Sequence, residues 1–315
     1  AFFGAATLEE ALPLRQAGIR SDILILGWTD PAKAAVIAEN NLIQTVVDVA
    51  YARALAATGI RLRTHVKADT GMNRIGISWQ LQNKDLDGFF EVYSMKTLSN
   101  EGIFSHYPVS DDLKEDARQF TEKQTWLFQE LLSMLRENGI DPGLAHIQNS
   151  YGILNYGDMG FDYCRPGLLY MGVTSDDAIP VVHELDFIPA LSLRTRVTMV
   201  KDLKPGQTVS YGRHYTAEKP VTIASLGIGY GDGLPRLISN KGLTVLINGQ
   251  KARLTGNICM DQCMADVTGL DVHPGDVVTI IGQDGDQRAT VDEITRLSQS
   301  INNETFCRIT PRVAR

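Results

Sequence analysis

Four polar clusters follow short apolar runs in the first half of the chain: Asp69-Thr70-Gly71-Met72-Asn73-Arg74, His106-Tyr107, Asn149-Ser150 and Arg165-Pro166-Gly167. Each alone reads as a turn or a cap. If the runs are strands of a βα barrel, however, all four lie on the rim where the βα loops gather catalytic groups. Asn149-Ser150 opens a short helix, which makes Ser150 an N-cap candidate whose neighbouring amides would hold a phosphate. Arg165 and Gly167 sit in the run counted as the eighth strand, and the loops after strands seven and eight are the usual phosphate seat of such a barrel. The chemistry indicated is that of a phosphorylated cofactor. Cys259 and Cys263 are four apart but lack a matching His or carboxylate set, so no metal is expected.

The elements that must carry these residues are legible as patterns. Up to about residue 172, β-branched runs alternate with amphipathic stretches, the signature of βα units around a parallel sheet. Strands are expected over 2–6, 22–26, 44–48, 62–68, 102–106, 144–148 and 163–170, and helices over 8–17, where Thr7 and Glu10 form a capping box, and 112–138. From about residue 189 strands are punctuated by turns, with a hairpin at Asn248-Gly249 and one helix over 291–298. The expected domains are a barrel over 1–185 and a mostly-β domain over 186–315. A closed βα barrel has eight strands, one more than counted. The absent strand is expected upstream of Ala1, because the chain opens on a strand followed by its helix.

The 315 residues are 43% hydrophobic and 21% charged, an ordinary globular composition with room for two cores. The formal charge is -7 with no basic block, so nucleic acid is not an expected partner and small solutes are. Cys164, Cys259, Cys263 and Cys307 show no CxxC spacing, which fits reduced thiols in the cytoplasm. No apolar run approaches the roughly 20 residues that span a bilayer, so these residues are expected to make no membrane contact.

VKADTGMNRIG (66–76), HIQNSYG (146–152), RPGLLYMG (165–172), SLGIGYGDG (225–233), CMDQCMADV (259–267) and RITPRVAR (308–315) resemble, in order and spacing, the motifs of pyridoxal-phosphate-dependent alanine racemases. The resemblance implies a (β/α)8 barrel followed by a C-terminal mostly-β domain, pyridoxal 5'-phosphate as cofactor, and a homodimer with shared active sites acting on a small amino acid. Racemisation needs two bases flanking Cα. By resemblance Tyr230 is one, supplied to the partner subunit. The other is a Schiff-base lysine in a VKANAYGHG-like segment at the end of the first barrel strand, and no such segment occurs here. It belongs to the strand that the count lacks, so both observations point upstream.

The remaining roles follow the same resemblance. Arg165 faces the pyridine nitrogen and, with His106, is linked by hydrogen bonds to Tyr230. Asn149, Ser150, Gly167 and Leu168 lie at the cofactor phosphate. Arg74 holds the cofactor's phenolic oxygen or the substrate carboxylate, which Met260 and Asp261 meet from the other subunit. Lys67 matches a lysine often carbamylated to orient the neighbouring arginine. Asn303 stands where alanine racemases have a tyrosine, and so resembles the membrane-anchored serine racemases associated with vancomycin resistance. The reading is therefore a racemase of serine and also alanine, supplying D-amino acids for peptidoglycan precursors. An anchor, if this chain has one, is expected upstream. Two alternatives stay open: a plain alanine racemase, and a catalytically silent cofactor-binding relative.

Overall fold

A computed structural model describes residues 2–315. The chain forms two compact units. One runs up to Gly167 and takes in Ile179–Leu185; the other comprises Leu168–Ala178 and Asp186–Arg315.

In the first unit strand and helix alternate. The strands are β1 (Phe3–Ala5), β2 (Ile23–Ile25), β3 (Ile43–Val46), β4 (Leu62–Asp69), β5 (Leu98–Phe104) and β6 (Leu144–His146). They pair in that order, all parallel. Each leads to a helix, after β4 by way of a short hairpin of Ile77–Gln80 and Asn83–Lys84: α1 (Leu8–Gln16), α2 (Ala34–Glu39), α3 (Val49–Ala57), α4 (Leu86–Ser94), α5 (Glu115–Glu137) and α6 (Ser150–Tyr156). This is the barrel architecture that the alternating pattern indicates. Capping fixes where the helices start. The Glu10 amide donates to Thr7 Oγ1 at 3.3 Å while Glu10 Oε2 accepts from the Ala6 amide at 2.8 Å, and Asp48 caps α3 through the Tyr51 amide at 2.6 Å. Leu127, Phe128, Leu131 and Leu135 turn the inner face of α5 into the core.

The strand expected over 163–170 is corrected. Only Tyr163 bridges β6, in parallel at His146, and the Arg165 amide donates to Gln148 O at 2.9 Å. Pro166 has no N–H to continue a ladder, and Leu168–Met171 is a short 3-10 helix in the other unit. At the opposite edge, the Phe2 ring lies 4.8 Å from that of Tyr163.

The second unit is antiparallel. Its strands are β7 (Leu193–Leu203), β8 (Val221–Leu226), β9 (Thr244–Ile247), β10 (Gln250–Thr255), β11 (Cys263–Asp266), β12 (Val277–Asp284) and β13 (Gln287–Ala289), in the order β9-β10-β11-β8-β7-β12-β13. A further pairing of β9 with β12 closes the path on itself. Asn248 and Gly249, at φ 52° and 74°, make the two-residue turn between β9 and β10. Beside α7 (Val291–Ser298) stands a second helix that the pattern did not indicate, α8 (Asn302–Cys307).

Phe128 is fully buried on α5, with its ring 5.4 Å from that of Phe161. Phe128→Ala is expected to lower unfolding stability by about 3–5 kcal/mol in urea titration. A loss under about 1 kcal/mol would place the ring outside a packed core.

Candidate active site

The barrel strands deliver their polar side chains to one place. β4 ends in Lys67, Ala68 and Asp69; Asp69 Oδ1 then accepts the amides of Gly71 and Asn73, both at 3.0 Å, and so bends the chain towards Arg74. Gly76 sits at φ 126°, where a Cβ would come within 2.8 Å of the Asp69 amide. Only glycine allows so close a return.

Arg165 is the hub. Its Nη2 donates to Ser105 O at 2.6 Å and Ile147 O at 2.9 Å and meets His106 Nδ1 at 3.3 Å, while Nη1 is bonded to His146 Nδ1. Every one of these acceptors is neutral, and its Nε–H takes part in none of these bonds. Burial pulls the guanidinium down to about 10 from its ordinary value, and burial together with the Arg165 charge pulls His106 down to about 3. Lys67 is buried too, its Nζ 4.9 Å from the centroid of the Phe104 ring, over which the Arg165 guanidinium also lies at 5.2 Å. Burial, with Arg165 adding to it, holds the Lys67 amine well below the usual lysine range. Arg74 is exposed, yet near enough for its charge to act on Lys67, His106 and Arg165.

The N-cap of α6 is corrected. Asn149, not Ser150, holds it: its backbone is extended, and its Oδ1 accepts the Gly152 amide at 2.9 Å and the Ser110 hydroxyl at 2.8 Å. The side-chain amide of Asn149 donates to Tyr107 O at 3.1 Å. Released from capping, Ser150 Oγ accepts the Gly167 amide at 2.9 Å. Arg165 is thus bonded to His106, Gly167 to Ser150, and Asn149 to the carbonyl of Tyr107, the residue after His106.

The second unit assembles its own cluster. Gly229, Tyr230 and Gly231 turn against Cys259 and Met260: the Tyr230 amide donates to Cys259 O at 3.0 Å and the Gly231 amide to Met260 O at 2.9 Å. A Cβ on Gly229 would lie 2.3 Å from Cys259 O, so the turn requires glycine. Asp232 accepts the Gly229 amide at 2.9 Å, and Arg312 pairs with Asp261 at 2.5 Å and Asp232 at 3.4 Å. The turn leaves Tyr230 40% and Met260 52% exposed. Leu168 opens the 3-10 helix of this unit, and its carbonyl accepts the Val173 amide at 3.3 Å. Asn303 is exposed on α8, whose buried Asn302 makes the bonds to Thr174 O at 2.9 Å and Asp292 Oδ1 at 2.6 Å.

Residues 1–175 match the family model described as alanine racemase, N-terminal domain, and residues 190–315 that described as alanine racemase, C-terminal domain. The chain belongs to the alanine racemase family. An amino-acid racemase of Enterococcus faecalis is 36% identical and a serine/alanine racemase of Enterococcus gallinarum 33% identical. Each alignment covers 99% of this chain but only 43% of the relative, so the chain spans less than half the length of these two proteins. The crystal structure of alanine racemase from E. faecalis superposes with a TM-score of 0.89 at 31% identity, covering 99% of this chain and 82% of that one.

Within the family framework, several residues at the site carry no role that spacing could have shown. His146 and His65 lie inside strands, and Arg312 and Asp232 meet only through the turn at Tyr230. The signal available for Arg312 was the RITPRVAR segment, and for His146 the HIQNSYG segment. Tyr107, whose hydroxyl lies 2.7 Å from Thr125 Oγ1, and Gln148, which donates to Gly152 O at 2.9 Å, brace the loops from beneath.

Neutral buried imidazoles make stability depend on pH. An unfolded histidine titrates near 6.5, whereas burial pulls folded His65 down to about 4. Below 6.5 the unfolded chain binds the extra proton, so stability present at pH 7 is lost as pH falls towards 4. The loss attributable to His65 at pH 5 is roughly 2 kcal/mol. Urea midpoints at pH 7 and pH 5 are expected to differ more for the wild type than for His65→Gln; equal differences would contradict a neutral His65.

Proposed function

We propose that this chain is the racemase module of a pyridoxal 5'-phosphate enzyme that interconverts L- and D-serine, and also alanine. The observation that carries the reading is Arg165, a half-buried guanidinium bonded to neutral acceptors beside the Ser150–Gly167 pair. That donor set fits the cofactor: an anionic phosphate suits the hydroxyl and amide of Ser150 and Gly167, and a ring nitrogen suits the uncommitted Nε–H of Arg165. Pyridoxal phosphate supplies, when bound, the electron sink that acidifies the Cα–H bond.

The chain's own residues supply one of the two bases and the groups that orient cofactor and substrate. Arg165, as an always-charged donor with no carboxylate beside it, does not hand its proton to a ring nitrogen, and so restrains the sink and favours rapid return of a proton to Cα. His106 holds Nη2 of Arg165 from the side. Tyr230 moves a proton at Cα through its phenol oxygen; its exposure in a turn held rigid by Gly229, Asp232 and Arg312 suits use by a second copy of the chain in a homodimer. Arg74, together with the Met260–Asp261 segment of a second copy of the chain, receives the substrate carboxylate. Lys67 is carbamylated: its neutral amine bonds the carbon of CO2 and releases a proton to solvent, giving an anion that orients the neighbouring Arg74. Asn303, an exposed amide, offers a hydroxyl-bearing substrate a hydrogen-bonding partner, which favours serine. The product serves peptidoglycan precursors.

Incubation with the cofactor and either L-serine or L-alanine, followed by chiral chromatography, tests the assignment. D-serine is expected to form faster than D-alanine. Faster alanine turnover overturns the serine preference, and neither product overturns the enzyme reading. Tyr230→Phe is expected to slow turnover about 10²–10⁴-fold while cofactor binding is kept; unchanged rates in both directions would remove Tyr230 from the mechanism.

A further inference from the structure

Beneath Arg165 the barrel interior holds two histidines in line. His146 Nε2 lies 3.0 Å from His65 Nδ1, and His146 Nδ1 is bonded to Arg165 Nη1. Arginine has donors and no acceptor. His146 Nδ1 must therefore be the bare nitrogen of a neutral ring, its single proton must sit on Nε2, and His65 Nδ1 must accept it. The chain of bonds runs one way, from guanidinium to His146 to His65. We infer that His65 is a positioning residue for Arg165: by accepting the Nε2 proton it holds the His146 ring where its Nδ1 lone pair meets the guanidinium. This rests on the racemase reading, in which Arg165 meets the ring nitrogen of the cofactor.

The surroundings are built for those two rings. A Cβ on Gly102 would stand 2.5 Å from His65 Cε1 and 2.8 Å from its Nδ1, so glycine on β5 is what admits the imidazole. Phe104 stacks on His146 at 4.9 Å with the planes 8° apart, and Phe2 meets both rings edge-on, at 5.8 and 6.1 Å. Burial lowers both rings, with Arg165, His65 and Lys67 adding to it at His146 and Arg63 and Arg165 at His65; at His65 this outweighs the opposing Glu101 and Asp22, so both rings stay neutral, as a one-way relay requires. An apolar residue at 65 would strand a buried N–H on His146. The ring would then swing to find another acceptor for that N–H, carrying its Nδ1 lone pair out of line with the guanidinium and loosening Arg165. A histidine pair that only fills space would have no such dependence.

The test uses the whole protein with 15N-labelled histidine, the His146 signals being assigned by their loss in His146→Gln. Nitrogen spectra are expected to show His146 Nδ1 unprotonated in the wild type. In His65→Leu the His146 Nδ1 resonance shifts as its bond to the guanidinium is lost and kcat falls by roughly tenfold to a hundredfold with KM little changed, while His65→Gln, whose amide oxygen can still accept, restores both. A proton on His146 Nδ1 in the wild type overturns the inference whether or not any variant folds, as does an unchanged His146 Nδ1 resonance in His65→Leu. If the wild type racemises nothing but that resonance responds to His65, the relay stands and the racemase reading falls.

Discussion

The site depends on a half-buried guanidinium with no carboxylate bonded to it. An enclosed charge is costly unless hydrogen-bonded, and Arg165 meets that demand with carbonyls of Ser105 and Ile147 and with two imidazoles. Choosing neutral acceptors leaves its positive potential uncancelled. Burial first, and that potential after it, depress His106, His146 and Lys67, and the uncancelled charge suits an electron-rich ring and an anion. The barrel contributes by bringing β4, β5 and β6 side by side, so that residues far apart in sequence meet the same side chain.

The second unit solves a different problem. A phenol that is to act at Cα must stay accessible and yet be placed accurately. Gly229 lets the backbone approach Cys259 O and Met260 O more closely than any side chain would permit, and the Asp232–Arg312–Asp261 network ties the turn down from one side. An exposed ion pair adds little to stability by itself. Its value here is that a planar fork fixes two carboxylates at once.

Much of this was legible in the sequence. The period of the apolar runs gave the alternating strands and helices of the barrel, and Asn248-Gly249 gave the hairpin. What was not legible depended on geometry. Asn149 and Ser150 are both good caps, and only the extended backbone at 149 decides between them. The run Leu168-Leu169-Tyr170-Met171 has strand composition, but Pro166 and Gly167 break the ladder before it can pair. α8 lacks a side-chain cap and is six residues long, too short for a helical period to show. His65 and His146 are 81 residues apart and share a bond only because their strands flank β5.

The central claim is that Arg165 and the Ser150–Gly167 pair together form the seat of the cofactor. A crystal structure with pyridoxal 5'-phosphate bound tests it most directly. The ring nitrogen is predicted within hydrogen-bond reach of the Arg165 guanidinium, about 2.7–3.2 Å, with the phosphate on Ser150 and Gly167. Density for the cofactor elsewhere, or a ring nitrogen facing a carboxylate, would contradict the account.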